Sequence, residues 1–260
     1  PRLVLVPLPS GEPGDESCGP IAALHVDRGA PITVLHSHAN AEDLLDVRET
    51  LTRLSQELNV NVLGYDYPGY GLSEGQCSEA SCCRAARACL EHLVNRGVDR
   101  GSIVMMGRSL GTGPTVHLAS KEPGLAGVVL QSPLLSVLRT RLAEQMATAM
   151  KNADLFDNLG KISDVVCPVF VMHGSQDRIV PVTHGEEICR LAPNAVRPFW
   201  ANGCGHNDLH NHVDYYAKLA EFIEFVRARR KRQWEETIAA YAPRMVVIQR
   251  PQPKLLLNAL

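Results

Sequence analysis

The pentapeptide Gly107-Arg108-Ser109-Leu110-Gly111 places a serine between two glycines, directly after the apolar run Ile103 to Met106 and before a helix-like stretch, Thr115 to Ser120. This G-x-S-x-G pattern, set between a strand and a helix, lifts a serine hydroxyl onto a sharp turn where it can attack a carbonyl carbon. Glycine on either side removes side-chain collisions and tolerates unusual dihedrals. The amide of Leu110, at the start of the helix, is then aimed to donate to a developing oxyanion. Pro114 suits the first helical turn, where its missing N–H does little harm.

A serine of this kind needs a base and a carboxylate to orient the base, following it in the order acid, then histidine. Asp177 stands in a polar turn just past the apolar run Val169 to Met172, at a strand's C-terminal end where the sites of open α/β sheets gather. Asp154 and Asp157 are rivals with no strand before them, and Asp66 precedes the serine. His206 follows Gly203-Cys204-Gly205, a loop able to swing an imidazole over the sheet edge. In that arrangement Nε2 takes the serine proton while Nδ1–H is held by the carboxylate. His210 and His212 lie just beyond His206, but the H-E-x-x-H pattern is absent and no metal is expected. A second oxyanion donor is expected from the loop after an early strand, His36 to Asp43, with the amide of Asn40 as the candidate and Ala39 and Ala41 as its neighbours.

The elements that must position these groups alternate along the chain. Strand-like runs occur at Ile21 to Val26, Ile32 to Leu35, Asn61 to Tyr65, Ile103 to Met106, Ala126 to Leu130, Val165 to Met172 and Ala195 to Trp200. Between several of them lie segments of helical period, such as Leu44 to Leu58 and Cys82 to Val94, with Leu51, Leu54 and Leu58 on one face, and a helix-like Val213 to Val226 follows the last. Such alternation predicts an α/β fold with a mostly parallel central sheet and helices on both faces. Ser132 to Asp164 falls outside the pattern and suggests a short lid, whose apolar face of Leu135, Leu138, Leu142 and Met146 could line an acyl groove or simply pack on the sheet. Residues 1–230 are expected to form one domain and 231–260 an appended tail. The basic run Arg227 to Arg232 is taken first as a solvated helix end, with contact to an anionic membrane surface as the alternative.

A length of 260 residues suits one α/β unit of this kind. A formal net charge of -2 gives no reason to expect nucleic acid as a partner. No apolar run approaches the roughly 18 residues needed to span a bilayer, and the first residues lack the pattern of a secretory signal. The 8 cysteines (Cys18, Cys77, Cys82, Cys83, Cys89, Cys167, Cys189 and Cys204) form no C-x-x-C pair and suit the reduced thiols of a cytosolic enzyme.

Several of these segments together resemble one branch of the α/β-hydrolase fold. His38-Ala39-Asn40-Ala41-Glu42-Asp43-Leu44, Tyr65-Asp66-Tyr67-Pro68-Gly69-Tyr70-Gly71, Gly107-Arg108-Ser109-Leu110-Gly111-Thr112-Gly113, Gln131-Ser132-Pro133-Leu134 and Gly205-His206-Asn207-Asp208 look like landmarks of the protein depalmitoylases called α/β-hydrolase domain-containing protein 17, in matching order from about Ile21 to Val226. The resemblance implies Ser109 as nucleophile, Asp177 as acid and His206 as base, with no cofactor. It implies cleavage of an acyl thioester or ester on an S-acylated protein or acyl ester substrate, in the cytoplasm or at the cytosolic face of membranes. A general carboxylesterase or a serine peptidase of the same fold is the neighbouring alternative. A non-catalytic ligand-binding module is the distant one, for which an ordered Ser, Asp and His would be superfluous. The family usually has glycine where Ala39 stands, so a methyl group is expected to crowd the oxyanion loop or its backbone to bend differently. It also carries an N-terminal lipidated cysteine cluster, which the residues from Pro1 onward do not show.

Overall fold

The computed structural model describes residues 1–8, 19–142, 144–150 and 153–241. Eight strands form one sheet: β1 (Arg2–Val6), β2 (Ile21–Val26), β3 (Thr33–Ser37), β4 (Asn61–Tyr65), β5 (Ile103–Arg108), β6 (Gly127–Gln131), β7 (Val169–Gly174) and β8 (Phe199–Ala201). Among the described residues six α-helices accompany them: α1 (Leu44–Leu58), α2 (Glu79–Asn95), α3 (Thr112–Ala119), α4 (Glu144–Ala149), α5 (Val182–Leu191) and α6 (Tyr215–Tyr241). The sheet order is β1-β2-β4-β3-β5-β6-β7-β8. β1 and β2 run antiparallel to their neighbours, and every pairing from β4 through β3 to β8 is parallel.

Chain direction decides where a site can form. From β3 the chain crosses outward through α1 to β4, then returns through α2 past β3 to β5. The crossovers diverge between β3 and β5, and the C-terminal ends of strands at such a switch point leave a crevice. Ser37 at the end of β3 pairs with Gly107 of β5, so the loop after β3 and the serine turn after β5 open at the same level.

Alternate residues of the parallel strands feed two cores. Leu35, Met105, Val128, Leu130 and Val171 face α2, α3 and α5, while Val34, Val104, Met106, Val129 and Phe170 face α1 and α6. Both faces being covered is why these strands are apolar runs rather than alternating ones. Helix α1 is seated by Leu44, Val47, Leu51, Leu54 and Leu58, all buried, and truncating one such leucine to alanine typically costs about 2–5 kcal/mol. Its start is fixed by a capping box between Asp43 and Asp46.

The expected strands are present with shifted limits. β7 begins at Val169 rather than Val165, because Pro168 has no N–H to continue a ladder and Val165 closes a 3₁₀ turn. β8 is confined to Phe199–Ala201, after Pro198, with Ala195 making only an isolated bridge to Val169. The antiparallel β1 was not anticipated. Helix α6 continues through residue 231 to Tyr241, so the expected boundary between domain and tail falls inside a helix. The tail residues Arg244 to Leu260 lie outside the described residues, as does Cys18. Among the described residues, no helix is long and apolar enough to cross a membrane.

The segment Ser132 to Asp164 is not one amphipathic helix. It contains a 3₁₀ turn at Leu138–Thr140, the short α4 and another 3₁₀ turn at Ile162–Asp164. Leu135 precedes the first turn, and Met146 projects outward at 55% exposure, so the four apolar residues do not share one face. Asp154 and Asp157 serve locally: Asp154 accepts from the amides of Leu138 and Leu155, and Asp157 from that of Gly160.

Candidate active site

Ser109 is the first residue past β5 and adopts φ 51°, the left-handed region that a non-glycine residue enters only when its surroundings enforce it. The flanking glycines enforce it by packing rather than by their own dihedrals. A β-carbon on Gly107 would come within 2.4 Å of the Gly111 carbonyl oxygen, and one on Gly111 within 2.1 Å of the Ser37 carbonyl oxygen. The turn is therefore pressed against the end of β3. A 3₁₀ turn at Ser109–Gly111 leads straight into α3, so the helix starts three residues earlier than its apolar pattern suggests. Thr112 Oγ1 donates to the Ser109 carbonyl at 2.6 Å, and Asn158 Nδ2 donates to Thr112 Oγ1 at 3.2 Å and to the Leu134 carbonyl at 2.9 Å. Asn158 thereby ties the segment after β6 to the serine turn, a role for which its sequence context gives no signal.

The three groups proposed for acyl transfer converge from three strands. His206 Nε2 lies 2.9 Å from Ser109 Oγ, and His206 Nδ1 lies 2.7 Å from Asp177 Oδ2. With a hydrogen on Nδ1 the ring donates to the carboxylate and presents a lone pair to the serine hydroxyl, the tautomer that its partners select. Asp177 Oδ1 accepts from the amides of Ile179 and Val180 at 2.9 and 2.8 Å. His173 Nε2 donates to the Val180 carbonyl at 2.8 Å and sits 3.2 Å from Asp177 Oδ2. Burial by itself would raise the Asp177 carboxyl, but hydrogen bonds from His173, His206 and the Val180 amide outweigh it and hold the group well below the usual carboxylate range. Asp177 thus stays ionised beside a buried imidazole.

The loop after β3 contains the other expected donor. The Ala39 amide is occupied, donating to Glu42 Oε2 at 2.9 Å. Tyr70 lies beside Ala41, and its hydroxyl donates to Asn40 Oδ1 at 2.7 Å. With the Ala39 amide engaged and Asn40 on the wall of the cavity beside Arg108 and Asn207, Asn40 stays the proposed partner of the Leu110 amide. The methyl of Ala39 is buried, and this residue is not at positive φ. The left-handed residue of the loop is Ala41, at φ 58°, so the methyl at 39 brings no backbone strain.

Two cavities are lined in part by residues singled out in the sequence. One, of about 490 Å³, is lined by His36, Asn40, Glu42, Arg108, Asn207 and Tyr215 among others, so it borders the residues next to Ser109 and His206. The other, of about 420 Å³, has Leu135, Leu142 and Leu159 together with Arg139, His184 and Glu187 in its wall. Of the four residues expected to line an acyl groove, Leu135 and Leu142 contribute to this cavity's wall, and Leu138 and Met146 are not among its lining residues. His210 and His212 do not assemble with His206 into a ligand set; among the described residues no group of three His, Cys, Asp or Glu side chains could hold a metal ion. Burial pushes the thiols of Cys83 and Cys167 up to about 11, which makes them poor nucleophiles.

An eight-stranded, mostly parallel sheet with a serine turn at its switch point, a carboxylate after β7 and a histidine after β8 defines an α/β hydrolase. The family model described as "Serine aminopeptidase, S33" matches residues 32–153. An esterase of Pyrococcus furiosus superposes with a TM-score of 0.69 over 87% of this chain and 90% of its own, at 17% identity. Within that class, the chain belongs to the family of α/β-hydrolase domain-containing protein 17. It is 34% identical over 195 residues to the human protein 17B, covering 75% of this chain and 67% of that one. It is also 40% identical over 193 residues to the α/β-hydrolase domain-containing protein aho-3 of Caenorhabditis elegans, covering 74% of this chain and 57% of that one. The chain thus spans somewhat under two thirds of the length of aho-3 and of the Xenopus tropicalis protein 17C, at 57% and 62%.

Proposed function

We propose that this chain is a serine hydrolase that cleaves acyl thioesters or esters through an acyl-serine intermediate, with S-acylated protein as the substrate. The observation that carries the hydrolase reading is the continuous hydrogen-bonded line from Ser109 Oγ through both nitrogens of His206 to Asp177. His206 Nε2 takes the hydroxyl proton as Ser109 Oγ bonds to the carbonyl carbon, and the Leu110 and Asn40 amides hold the oxyanion. The intermediate collapses by breaking the carbon–sulfur or carbon–oxygen bond, and His206 returns the proton to the departing thiol or alcohol. Water, deprotonated by the same imidazole, then releases the acid and restores Ser109. Each of these steps uses only side chains and amides of this chain and water.

The choice of an acyl-cysteine substrate rests on the family resemblance and on the short segment between β6 and β7, which leaves little chain to cover the site. Membrane contact through the basic run has less support. Arg227 donates to the Asn59 carbonyl before β4, and Arg230 pairs with Asp99 before β5. The run therefore sits by the starts of strands whose far ends hold the site.

The test compares purified protein with its Ser109→Ala variant on a long-chain acyl-cysteine thioester peptide, a short acyl ester and an unacylated peptide, alongside fluorophosphonate labelling. Thioester turnover that disappears in the variant is the expected outcome. Turnover of the short ester alone would replace depalmitoylation with general esterase activity. No turnover and no labelling at Ser109 would overturn the hydrolase reading altogether.

A further inference from the structure

Arg108 is the last residue of β5 and the immediate neighbour of Ser109, and its side chain is only 15% exposed. Its guanidinium reaches in two directions. Nη1 donates to Glu42 Oε1, and the other oxygen of that carboxylate accepts the Ala39 amide at 2.9 Å. Nη2 donates to Asn207 Oδ1 at 2.9 Å, and Asn207 directly follows His206. One planar group thus spans from the strand that bears the nucleophile to the two loops that must meet it. These loops come from β3 and β8, far apart in sequence. Each also meets the serine turn directly, through Gly111 packed on the Ser37 carbonyl and His206 on Ser109 Oγ. Arg108 is the side chain that joins both.

Resting on the serine-hydrolase reading, we propose that Arg108 is a positioning residue that fixes the oxyanion loop, through Glu42, and the histidine loop, through Asn207, relative to Ser109. The chemistry of the group suits the task. A guanidinium offers donors in a rigid fork and is permanently charged, whereas a lysine ammonium is a point charge on a flexible stem. Charge-assisted bonds to a carboxylate are among the stronger hydrogen bonds available. Arg108 also forms part of the wall of the polar cavity of about 490 Å³, which places the fork beside the site. A misplacement of about 1 Å in a catalytic group can cost up to about 10²-fold in rate. Loosening two loops at once should fall in that range.

The experiment measures kcat and KM for a short-chain p-nitrophenyl ester, the rate of fluorophosphonate labelling, and Tm, for wild type and for Arg108→Met, Arg108→Lys, Glu42→Gln, Asn207→Ala and the double variant Arg108→Met/Glu42→Gln. Arg108→Met should lower kcat and the labelling rate by about 10- to 100-fold while KM changes by less than about 3-fold. Arg108→Lys should recover only part of the loss, since it cannot hold both partners together. The double variant should be no slower than Arg108→Met, because both changes break one connection. If Arg108→Met fails to fold, Asn207→Ala, on an exposed loop, still severs one arm and should lower kcat by several fold with KM unchanged. Wild-type kcat in Arg108→Met or Asn207→Ala, or multiplicative losses in the double variant, would overturn the positioning role. An inert and unlabelled wild type would instead overturn the hydrolase reading, and this role with it.

Discussion

His173 Nε2 lies 3.2 Å from Asp177 Oδ2, the same oxygen that His206 Nδ1 approaches at 2.7 Å. A residue at the end of β7 therefore helps to hold the carboxylate that orients the base. Its Nε2–H donates to the carbonyl of Val180, whose amide holds Asp177 Oδ1, so replacing it with leucine unpins that turn and takes a ring N–H from beside a buried charge. His173→Leu should lower kcat for a short ester by about 10-fold or more. It should also let the Asp177 carboxyl rise toward the ordinary range. A carboxyl held low in the folded state stabilises the fold above its unfolded pKa of about 4 and loses that contribution as pH falls through the folded value. The acid unfolding midpoint of the variant should accordingly move to higher pH, followed by circular dichroism. An unchanged midpoint and kcat would remove His173 from the site.

Gly185 of α5 touches the same histidine. An alanine inside a helix ordinarily stabilises by about 1 kcal/mol over glycine. Here its β-carbon would lie 2.7 Å from His173 Nδ1 and 3.2 Å from Trp200. Gly185→Ala should therefore lower Tm and reduce kcat together. A variant more stable than wild type, with full activity, would show that the helix can shift at no cost.

Tyr70 links the loop after β4 to the oxyanion loop through its hydroxyl on Asn40 Oδ1. Tyr70→Phe keeps the ring edge-on to Tyr67 and tilted against His38 but loses the hydroxyl. The expected result in steady-state kinetics is a several-fold fall in kcat with KM nearly constant, since an amide that serves only the oxyanion contributes only in the transition state. A rise in KM alone would instead place Tyr70 in substrate binding.

His36 is fully buried in β3, and its pKa is lowered to about 3 by burial first and then by neighbouring His38 and Arg108. In the unfolded chain the group has a pKa of about 6.5. As pH falls below that value the unfolded state takes up a proton that the native state refuses, so stability drops by up to about 1.4 kcal/mol per pH unit until pH nears 3. The contribution is present in full above about pH 7. His36→Gln, which cannot titrate, should flatten the decline of Tm between pH 6.5 and 5 in calorimetric scans. An equally steep decline in the variant would assign it to other groups.

The serine turn was legible because the residues it requires are adjacent. A strand, two glycines, a small nucleophile and a helix start follow one another, with Gly107 demanded by the nearby Gly111 carbonyl, although Gly111 answers to the distant Ser37. Asp177 and His206 were legible through chain order and their glycine-containing loops. The alternation of apolar runs likewise determined the α/β class, since strands covered on both faces must be apolar throughout.

The rest depended on the fold. Lid residues Leu138 and Met146 were grouped with Leu135 and Leu142 by helical spacing, yet the segment breaks into short turns, and that spacing carries no meaning across a break. Arg108, Glu42 and Asn207 read as ordinary polar residues, at sequence separations of 66 and 99. His173 and Tyr70 were equally silent. The sequence by itself determined which groups could attack, relay a proton and hold an oxyanion, because those capacities belong to residue types and their immediate neighbours. Only the tertiary structure decided which distant side chains lock these groups in register, because hydrogen bonds between loops depend on which strand ends the sheet order brings together.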